Sequence, residues 1–321
     1  MSARGPRVAI GVPLYNGADH IATAIESLLA QTFGDFGLVL VDDCSTDETS
    51  ALAARYAAED ERVLFVPGEE RQGIIRNWRR AYRLALERFP SAEYFAWASD
   101  HDLWRPGWLE ALVERLDAAP GAVLAYPLSP RISGTGEVIK EPWRFSTEGV
   151  ERPASRLWKT CMGMRAGSMV YGLYRRSVLE RLRVYRWVRE PDNLLMAELS
   201  VQGEFHQIPE VLWERRFGGI ANRRRQLDSL FLGRPPWYAQ LSPWIEHAGL
   251  IFWRYVLSGD RPVRNRLRGL GLWLEFVIAM MLAIARRWNR KRFYGATKRV
   301  KVLARMRKRA TRRLRQWRES V

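Results

Sequence analysis

Val8-Ala9-Ile10-Gly11-Val12 is an unbroken run of apolar and small residues, and from Ala18 to Gln31 apolar side chains fall at Ile21, Ala24, Ile25, Leu28 and Leu29. The first pattern predicts a strand buried on both faces, and the second a helix packed behind it. The alternation continues with a strand at Phe36–Val41 and a helix from Ser45 to about Ala58, where Ser45 and Glu48 stand at capping-box spacing. Val63–Val66, Tyr94–Ala98 and Ala122–Tyr126 read as further strands, and Ile74–Arg88 and Trp108–Leu116 as helices. Strands and helices in that order predict an α/β fold: a mostly parallel, Rossmann-like sheet with helices on both faces.

Beyond Pro127 the pattern loosens. Ser133-Gly134-Thr135-Gly136 is a turn cluster inside a hairpin spanning Arg131–Lys140. A helix near Ala154–Cys161, a strand at Met169–Tyr174 and a helix at Asn193–Val201 follow. Phe205–Ile208 and Val211–Phe217 read as a closing strand pair. This half is expected to form the second side of a cleft.

The chain has 321 residues, 47% of them hydrophobic, enough for a substantial core. Its formal charge of +17 is concentrated at one end: from Arg286 to Val321 there are 16 Lys or Arg and one acid, Glu319. The rest of the chain carries 36 basic and 34 acidic side chains and is nearly neutral. The basic character therefore belongs to a tail and not to the folded body. Two cysteines, Cys44 and Cys161, give neither a disulfide framework nor metal-binding spacing, as in a reducing compartment. Met1–Arg7 leads straight into the first strand without a signal-peptide core, so a cytosolic protein is expected.

Gly269–Ala285 is almost continuously apolar, with Glu275 as its one charge and Arg268 and Arg286-Arg287 bracketing it. Its 17 residues sit at the short end of the ~17–25 that span a bilayer. With Trp273 and Trp288 at its ends it reads as an in-plane or re-entrant membrane helix, the alternatives being a bundle helix or a true span. The tail beyond it would favour an anionic membrane surface, each basic residue near that surface contributing about 1 kcal/mol. A solvated basic helix is the alternative for Lys298–Arg318. These features predict a cytoplasmic protein, peripheral on the inner face of the cytoplasmic membrane.

The candidate chemistry lies at the ends of strands. Trp97-Ala98-Ser99-Asp100-His101-Asp102-Leu103-Trp104 places Asp100 and Asp102 on the loop at the carboxyl edge of the sheet, where open α/β sheets bind ligands. Two hard carboxylates suit Mg²⁺ or Mn²⁺, which take their other ligands from water and phosphate oxygens; an acidic turn capping a helix is the alternative. Asp42-Asp43 end the second strand and Tyr15 follows the first, at the same edge. A carboxylate can accept from the N3–H of a uracil ring while an aromatic face stacks on it. A helix cap and half-buried packing are the alternatives.

VAIGVPLYNGADHIATAIESLLAQTFGDFGLVLVDDCSTDET, with its Pro-x-Tyr-Asn, Gln-Thr and Val-Asp-Asp-x-Ser-Thr-Asp elements, resembles the opening of the family 2 glycosyltransferases, which have the GT-A fold. The similarity runs through Gly73–Asn77, WASDHDLWRPGWLE and Gly172–Arg176 and fades after Arg216. It implies a GT-A catalytic domain over 1–220, with a nucleotide-sugar half at 1–127 and an acceptor half at 128–220. A helical, basic, membrane-associating region would then occupy 221–321.

The resemblance also implies roles. Asp43 falls at the base-binding aspartate, with Asp42, Pro13 and Tyr15 beside it, and Arg76 where a basic or polar residue meets the nucleotide. Asp100 and Asp102 match the metal-binding Asp-x-Asp, the first near the ribose and the second on the metal, with His101 open as a participant. Counting back from Gly203 places Asp192 as the general base, with Glu190 as the alternative. The family's Tyr-x-Arg-x-His element appears as Trp213 to Gly218, where Arg216 fits and Gly218 stands in the His position. The implied reaction is metal-assisted, inverting transfer of a sugar from a nucleoside-diphosphate donor, a UDP-sugar first, to a saccharide or lipid-linked acceptor. Trp97, Trp104, Trp143 and Trp158 could line a sugar site or pack the core. The competing readings are a catalytically inactive sugar-nucleotide binder and a protein whose basic tail binds nucleic acid. The last leaves the carboxylates without a purpose, so no nucleic-acid partner is expected.

Overall fold

Both faces of Val8–Leu14 (β1) are covered, and every residue of Phe36–Asp42 (β2) is buried, so the two strands lie inside a sheet and not at its edge. The computed structural model describes residues 5–216, 227, 229–258 and 265–286. β3 is Val63–Val66, β4 Tyr94–Trp97, β5 Leu103–Trp104, β6 Ala122–Leu128, β7 Arg131–Ile132, β8 Val138–Lys140, β9 Leu173–Arg175, β10 Glu204–Val211 and β11 Trp213–Arg216. The main sheet has seven strands in the order β10-β6-β9-β4-β1-β2-β3, and a four-stranded sheet runs β5-β11-β7-β8. The helices are α1 (Ile21–Leu29), α2 (Thr49–Glu59), α3 (Ile74–Arg88), α4 (Trp108–Ala118), α5 (Pro153–Gly163), α6 (Arg176–Leu179), α7 (Pro191–Gln202) and α8 (Pro243–Phe252). A last helix, α9, spans Arg266–Arg286.

Register places the candidate residues together. β1 pairs in parallel with β2, Leu14 opposite Asp42, and with β4, Gly11 opposite Trp97. Tyr15, Asp43 and Ser99–Asp102 therefore leave the sheet at one edge. β9 runs antiparallel between β4 and β6, so a reversed strand joins two parallel blocks. The chain enters it through Gly172, where a Cβ would stand 2.5 Å from the Ala125 carbonyl oxygen. That approach requires glycine.

Aromatic rings fill the space beneath the cleft. Trp97 is fully buried and meets Phe95, Tyr174 and Tyr185 edge-on, with centroids 4.6, 5.4 and 5.0 Å away. Removing so large a ring from a packed core costs about 3–5 kcal/mol. A second apolar cluster joins α5, α7, α8 and α9 through Leu157, Leu194, Ile251, Tyr255, Leu272 and Phe276. α9 buries one face there, yet its other face shows Leu267, Leu270, Leu274, Ile278 and Met281 to solvent.

Several elements differ from the sequence reading. The helix expected from Ser45 begins at Thr49, because Ser45 is engaged in the preceding loop: its hydroxyl donates to Asp42 Oδ1 at 2.5 Å and accepts from the Asn16 amide at 3.0 Å. Met169–Tyr171 is not strand but follows a 3-10 turn at Ala166–Ser168. β10 and β11, expected as a pair, lie in different sheets, β10 beside β6 and β11 between β5 and β7. Residues 287–321 and 217–226, including Gly218 and the basic tail, lie outside the described residues.

Candidate active site

A cleft of about 720 Å³ opens at the carboxyl edge of β1, β2 and β4. Pro13, Tyr15, Asp43, Asp100 and Asp102 line it, together with His20, Arg71, Trp78, His101, Tyr171 and Arg215. Asp42 and Arg76 do not. Asp42 turns into the loop beneath, where its carboxylate accepts from the Ser45 amide at 2.9 Å and the Ser50 hydroxyl at 3.0 Å. The Arg76 guanidinium lies on the Trp187 ring, 4.9 Å from its centroid.

Asp43 closes one wall. Its two oxygens accept from the backbone amides of Gln72 at 2.6 Å and Gly73 at 2.9 Å, which fixes the loop that enters α3. Gly73 has φ +81°, a left-handed conformation that suits glycine. Burial pushes the Asp43 pKa above the usual carboxylate range, against the pull of the two amides. The anchored loop brings Arg71 over the Tyr15 ring, 4.1 Å from its centroid. Arg71 carried no periodic signal in the sequence, since a loop held by a distant carboxylate places it.

The Asp100-His101-Asp102 loop forms the floor. Asp100 Oδ1 meets His101 Nδ1 at 2.6 Å, and its Oδ2 accepts from the Tyr15 amide at 3.3 Å. A Cβ on Gly17 would stand 2.8 Å from that same Oδ2, so the first loop passes against the carboxylate only because residue 17 lacks a side chain. Asp102 is deeper. Its Oδ1 accepts from the Arg216 amide at 2.8 Å and its Oδ2 from the Trp213 indole at 3.0 Å. Burial pushes the Asp102 pKa up despite these donors. Burial opposes protonation of His101, but hydrogen bonding to Asp100 and the charge of Asp102 hold its pKa above the ordinary histidine value.

Among the described residues no three His, Cys, Asp or Glu side chains form a ready-made metal cluster. Two carboxylates on one loop, with Asp100 the more accessible at 14% side-chain exposure, nevertheless fit a cation that takes few protein ligands and fills the rest from phosphate oxygens and water. The Arg216 side chain ties the floor to two other loops, donating from Nε to the His101 carbonyl at 3.0 Å and from Nη1 to the Gly134 carbonyl at 3.0 Å. It also meets His20 Nδ1 at 3.2 Å; burial and this neighbouring charge lower the His20 pKa.

Asp192 is in the first turn of α7 and does not line the cleft, though its charge reaches Tyr171, which does. Burial raises its pKa, Glu190 adds to the rise, and Arg215 opposes it. Glu190, the residue capping α7, is itself left-handed at φ 49°, and its carboxylate accepts from Asn193 Nδ2 at 2.6 Å. Arg215 on β11 lines the cleft and was missed in the sequence, as were Trp78 and His20. Of the four tryptophans read as possible sugar contacts, none lines the cleft. Trp97 and Trp104 are buried, Trp143 donates to the Gly163 carbonyl at 3.0 Å, and Trp158 packs on the second apolar cluster.

The family model for glycosyl transferase family 2 matches residues 9–183. A putative teichuronic acid biosynthesis glycosyltransferase, TuaG of Bacillus subtilis, is 35% identical over 111 residues, 34% of this chain and 41% of that protein. The chain thus spans well under half the length of that relative. Among solved structures, S. aureus TarS 1-349 in complex with UDP-GlcNAc superimposes with a TM-score of 0.57 at 14% identity, covering 85% of this chain and 72% of that one. The mannosyltransferase PcManGT from Pyrobaculum calidifontis, in complex with GDP-Man and Mn²⁺, gives 0.50 at 17% identity, over 88% and 86% of the two chains. The mixed α/β architecture is the GT-A fold of these neighbours.

Proposed function

The chain belongs to glycosyl transferase family 2 and is a glycosyltransferase, and we propose that it moves a sugar from a nucleoside-diphosphate donor, held in the β1-β2-β4 cleft, to a saccharide or lipid-linked acceptor. The observation that carries this reading is the meeting of Tyr15, Asp43, Asp100 and Asp102 with the cations Arg71 and Arg215 around one cleft of about 720 Å³. Tyr15 and Asp43 would receive the base, Asp43 through lone pairs left free by its two amide donors. Arg71 and Arg215 would lie near the diphosphate, where guanidinium groups pair well with phosphate oxygens.

Asp100 and Asp102 are the residues that would hold Mg²⁺ or Mn²⁺. The bound ion would supply charge neutralisation on the departing diphosphate. Asp192 would take the proton of the acceptor hydroxyl as the new bond forms, a contribution of about 10²–10⁴ in rate. With its pKa raised by burial it is a stronger base than an ordinary aspartate. One base opposite the departing diphosphate gives inversion at the anomeric carbon. The neighbours hold UDP-GlcNAc in one case and GDP-Man in another, which supports a nucleotide-sugar donor.

The exposed apolar face of α9 supports a peripheral site of action on the inner membrane surface, since a helix apolar on all sides is buried in protein or lipid. The test is release of nucleoside diphosphate from a panel of UDP- and GDP-sugars with and without Mn²⁺, for the wild type, Asp102→Asn and Asp192→Asn. Metal-dependent release by the wild type and its loss in both variants is the expected result. Binding of a donor with no release, in the presence of lipid-linked and free saccharide acceptors, would leave a sugar-nucleotide-binding protein instead.

A further inference from the structure

α3 has cavities on two sides. Ile74, Asn77 and Trp78 face the cleft, whereas Arg79 faces a second cavity of about 520 Å³ bounded by the 183–188 segment, α8 and the turn after it. Four arginines line this second cavity: Arg79, Arg183, Arg186 and Arg254. Among the described residues its one lining carboxylate is Glu246, already engaged in accepting from Arg189 Nε at 3.1 Å and the Arg189 amide at 3.2 Å. Glu198 lies behind the wall, paired with Arg186 at 2.6 Å and 3.7 Å from Arg254 Nε.

One buried carboxylate thus serves two buried guanidinium groups. The Nε atoms of Arg186 and Arg254 are buried without a hydrogen-bond partner, although Arg254 also donates to the Arg181 carbonyl. Donors of this kind carry the full cost of desolvation until an acceptor arrives. Burial also lowers the pKa of Arg186. Glu198 Oε2 is likewise buried without a donor and Arg79 Nε donates to the Val184 carbonyl at 3.2 Å, so what the cavity lacks is negative charge, four arginines facing carboxylates that are already shared; guanidinium forks match the oxygens of a phosphate.

Its rim has the opposite character. Trp237 is 79% exposed, Ile245 58% and Trp253 56%, all three around the mouth. This apolar rim continues onto α9, where the Trp273 ring meets Phe252 at 5.0 Å and its indole donates to the Ala248 carbonyl at 3.0 Å. A free phosphate would satisfy the arginines and leave the rim wet, whereas a phosphate carrying an acyl or prenyl chain uses both.

We propose that this cavity is a binding site, separate from the donor cleft, for the phosphate head of a membrane lipid whose apolar chain lies over the Trp237–Ile245–Trp253 rim. The site does not depend on sugar transfer and is tested without it. The full chain is titrated calorimetrically with dihexanoyl phosphatidic acid below its micelle concentration, and with dihexanoyl phosphatidylcholine and inorganic phosphate as the other arms. Saturable binding is expected for the phosphatidic acid, about tenfold weaker binding for inorganic phosphate, and none for the choline lipid.

Arg79→Gln and Arg183→Gln, both at exposed positions, should each weaken phosphatidic acid binding about tenfold. Trp237→Ala should weaken the lipid and leave inorganic phosphate unchanged. Thermal shifts by nucleotide-sugars should stay as in the wild type in all three, which separates this site from the cleft. Undiminished lipid affinity in both arginine variants, or no binding at all, overturns the proposal. Equal affinity for inorganic phosphate with no effect of Trp237→Ala would make it a site for free phosphate and overturn the lipid assignment.

Discussion

The indole of Trp213 donates to Asp102 Oδ2 at 3.0 Å, so a strand far along the chain fixes the deeper carboxylate of the Asp-x-Asp loop. The contact follows from β5 pairing antiparallel with β11, Trp104 opposite Trp213. Trp213→Phe removes the donor while keeping a ring against Tyr171, whose centroid is 5.1 Å away. With one donor gone, the carboxylate is less firmly oriented. The Mn²⁺ concentration for half-maximal activity is expected to rise several-fold, with a far-UV spectrum like the wild type; an unchanged metal titration would show that the indole has only a packing role.

Arg71 and Arg76 separate what the structure places from what spacing alone implied. Arg71→Ala should raise the dissociation constant for nucleoside diphosphate about tenfold, the worth of a lost hydrogen bond to a charged group. Arg76→Ala should leave it unchanged, because that guanidinium rests on Trp187 outside the cleft. Equilibrium binding of UDP and GDP to the two variants decides the matter, and the reverse order of effects would restore Arg76 as the nucleotide contact.

Asp192 gives a prediction in pH. Burial and Glu190 raise its pKa, and a general base works only when deprotonated. The acidic limb of kcat/KM should therefore fall at a higher pH than an ordinary aspartate would give. Asp192→Asn should lower kcat by about 10²–10⁴ and leave donor binding intact. A limb at the ordinary aspartate value, together with near-normal turnover by the asparagine variant, would reassign the base.

His247 is buried in α8 with its Nε2 2.9 Å from the Arg189 carbonyl, and burial lowers its pKa to about 4. Its folded value is below its unfolded value of about 6.5, so the neutral ring favours the fold above pH 6.5. That contribution is lost as pH falls from about 6.5 to about 4, and amounts to about 3 kcal/mol across the window. His247→Gln can keep the donor without titrating. Urea midpoints measured from pH 7 to pH 5 should drop less for this variant than for the wild type.

The sheet was legible because buried strands are written as apolar runs. The expected Phe36–Val41 is one residue short of β2, and α3 has the expected bounds. What the chain could not reveal was which neighbour each strand would choose, so β10 and β11 were read as partners when only Leu212 separates them. Asp42 and Asp43 show the same limit at the site. Successive residues at a strand end point to opposite sides, and one carboxylate entered the turn while the other reached the cleft. In α3, Ile74, Asn77 and Trp78 share the cleft face at three- and four-residue spacing, which puts Arg76 on the far side. Arg71 and Arg215 gave no pattern, because their positions depend on Asp43 anchoring a loop and on β11 crossing to a second sheet.

β9 makes the molecule a seam. A reversed strand between two parallel blocks means that β1–β4 and β6–β10 need not share a crossover rule, and among the described residues the main-sheet ladders joining them run through one three-residue strand. The chain itself crosses this seam, because β6 precedes β9 and its partner β10 follows it. A chimera exchanging the segment after β9 replaces Asp192 together with Trp213 and Arg216, the donors to Asp102, while Tyr15, Asp43 and Asp100 stay on their own scaffold. Such an exchange keeps the cleft floor in place only where the incoming segment supplies a donor at the position of Trp213.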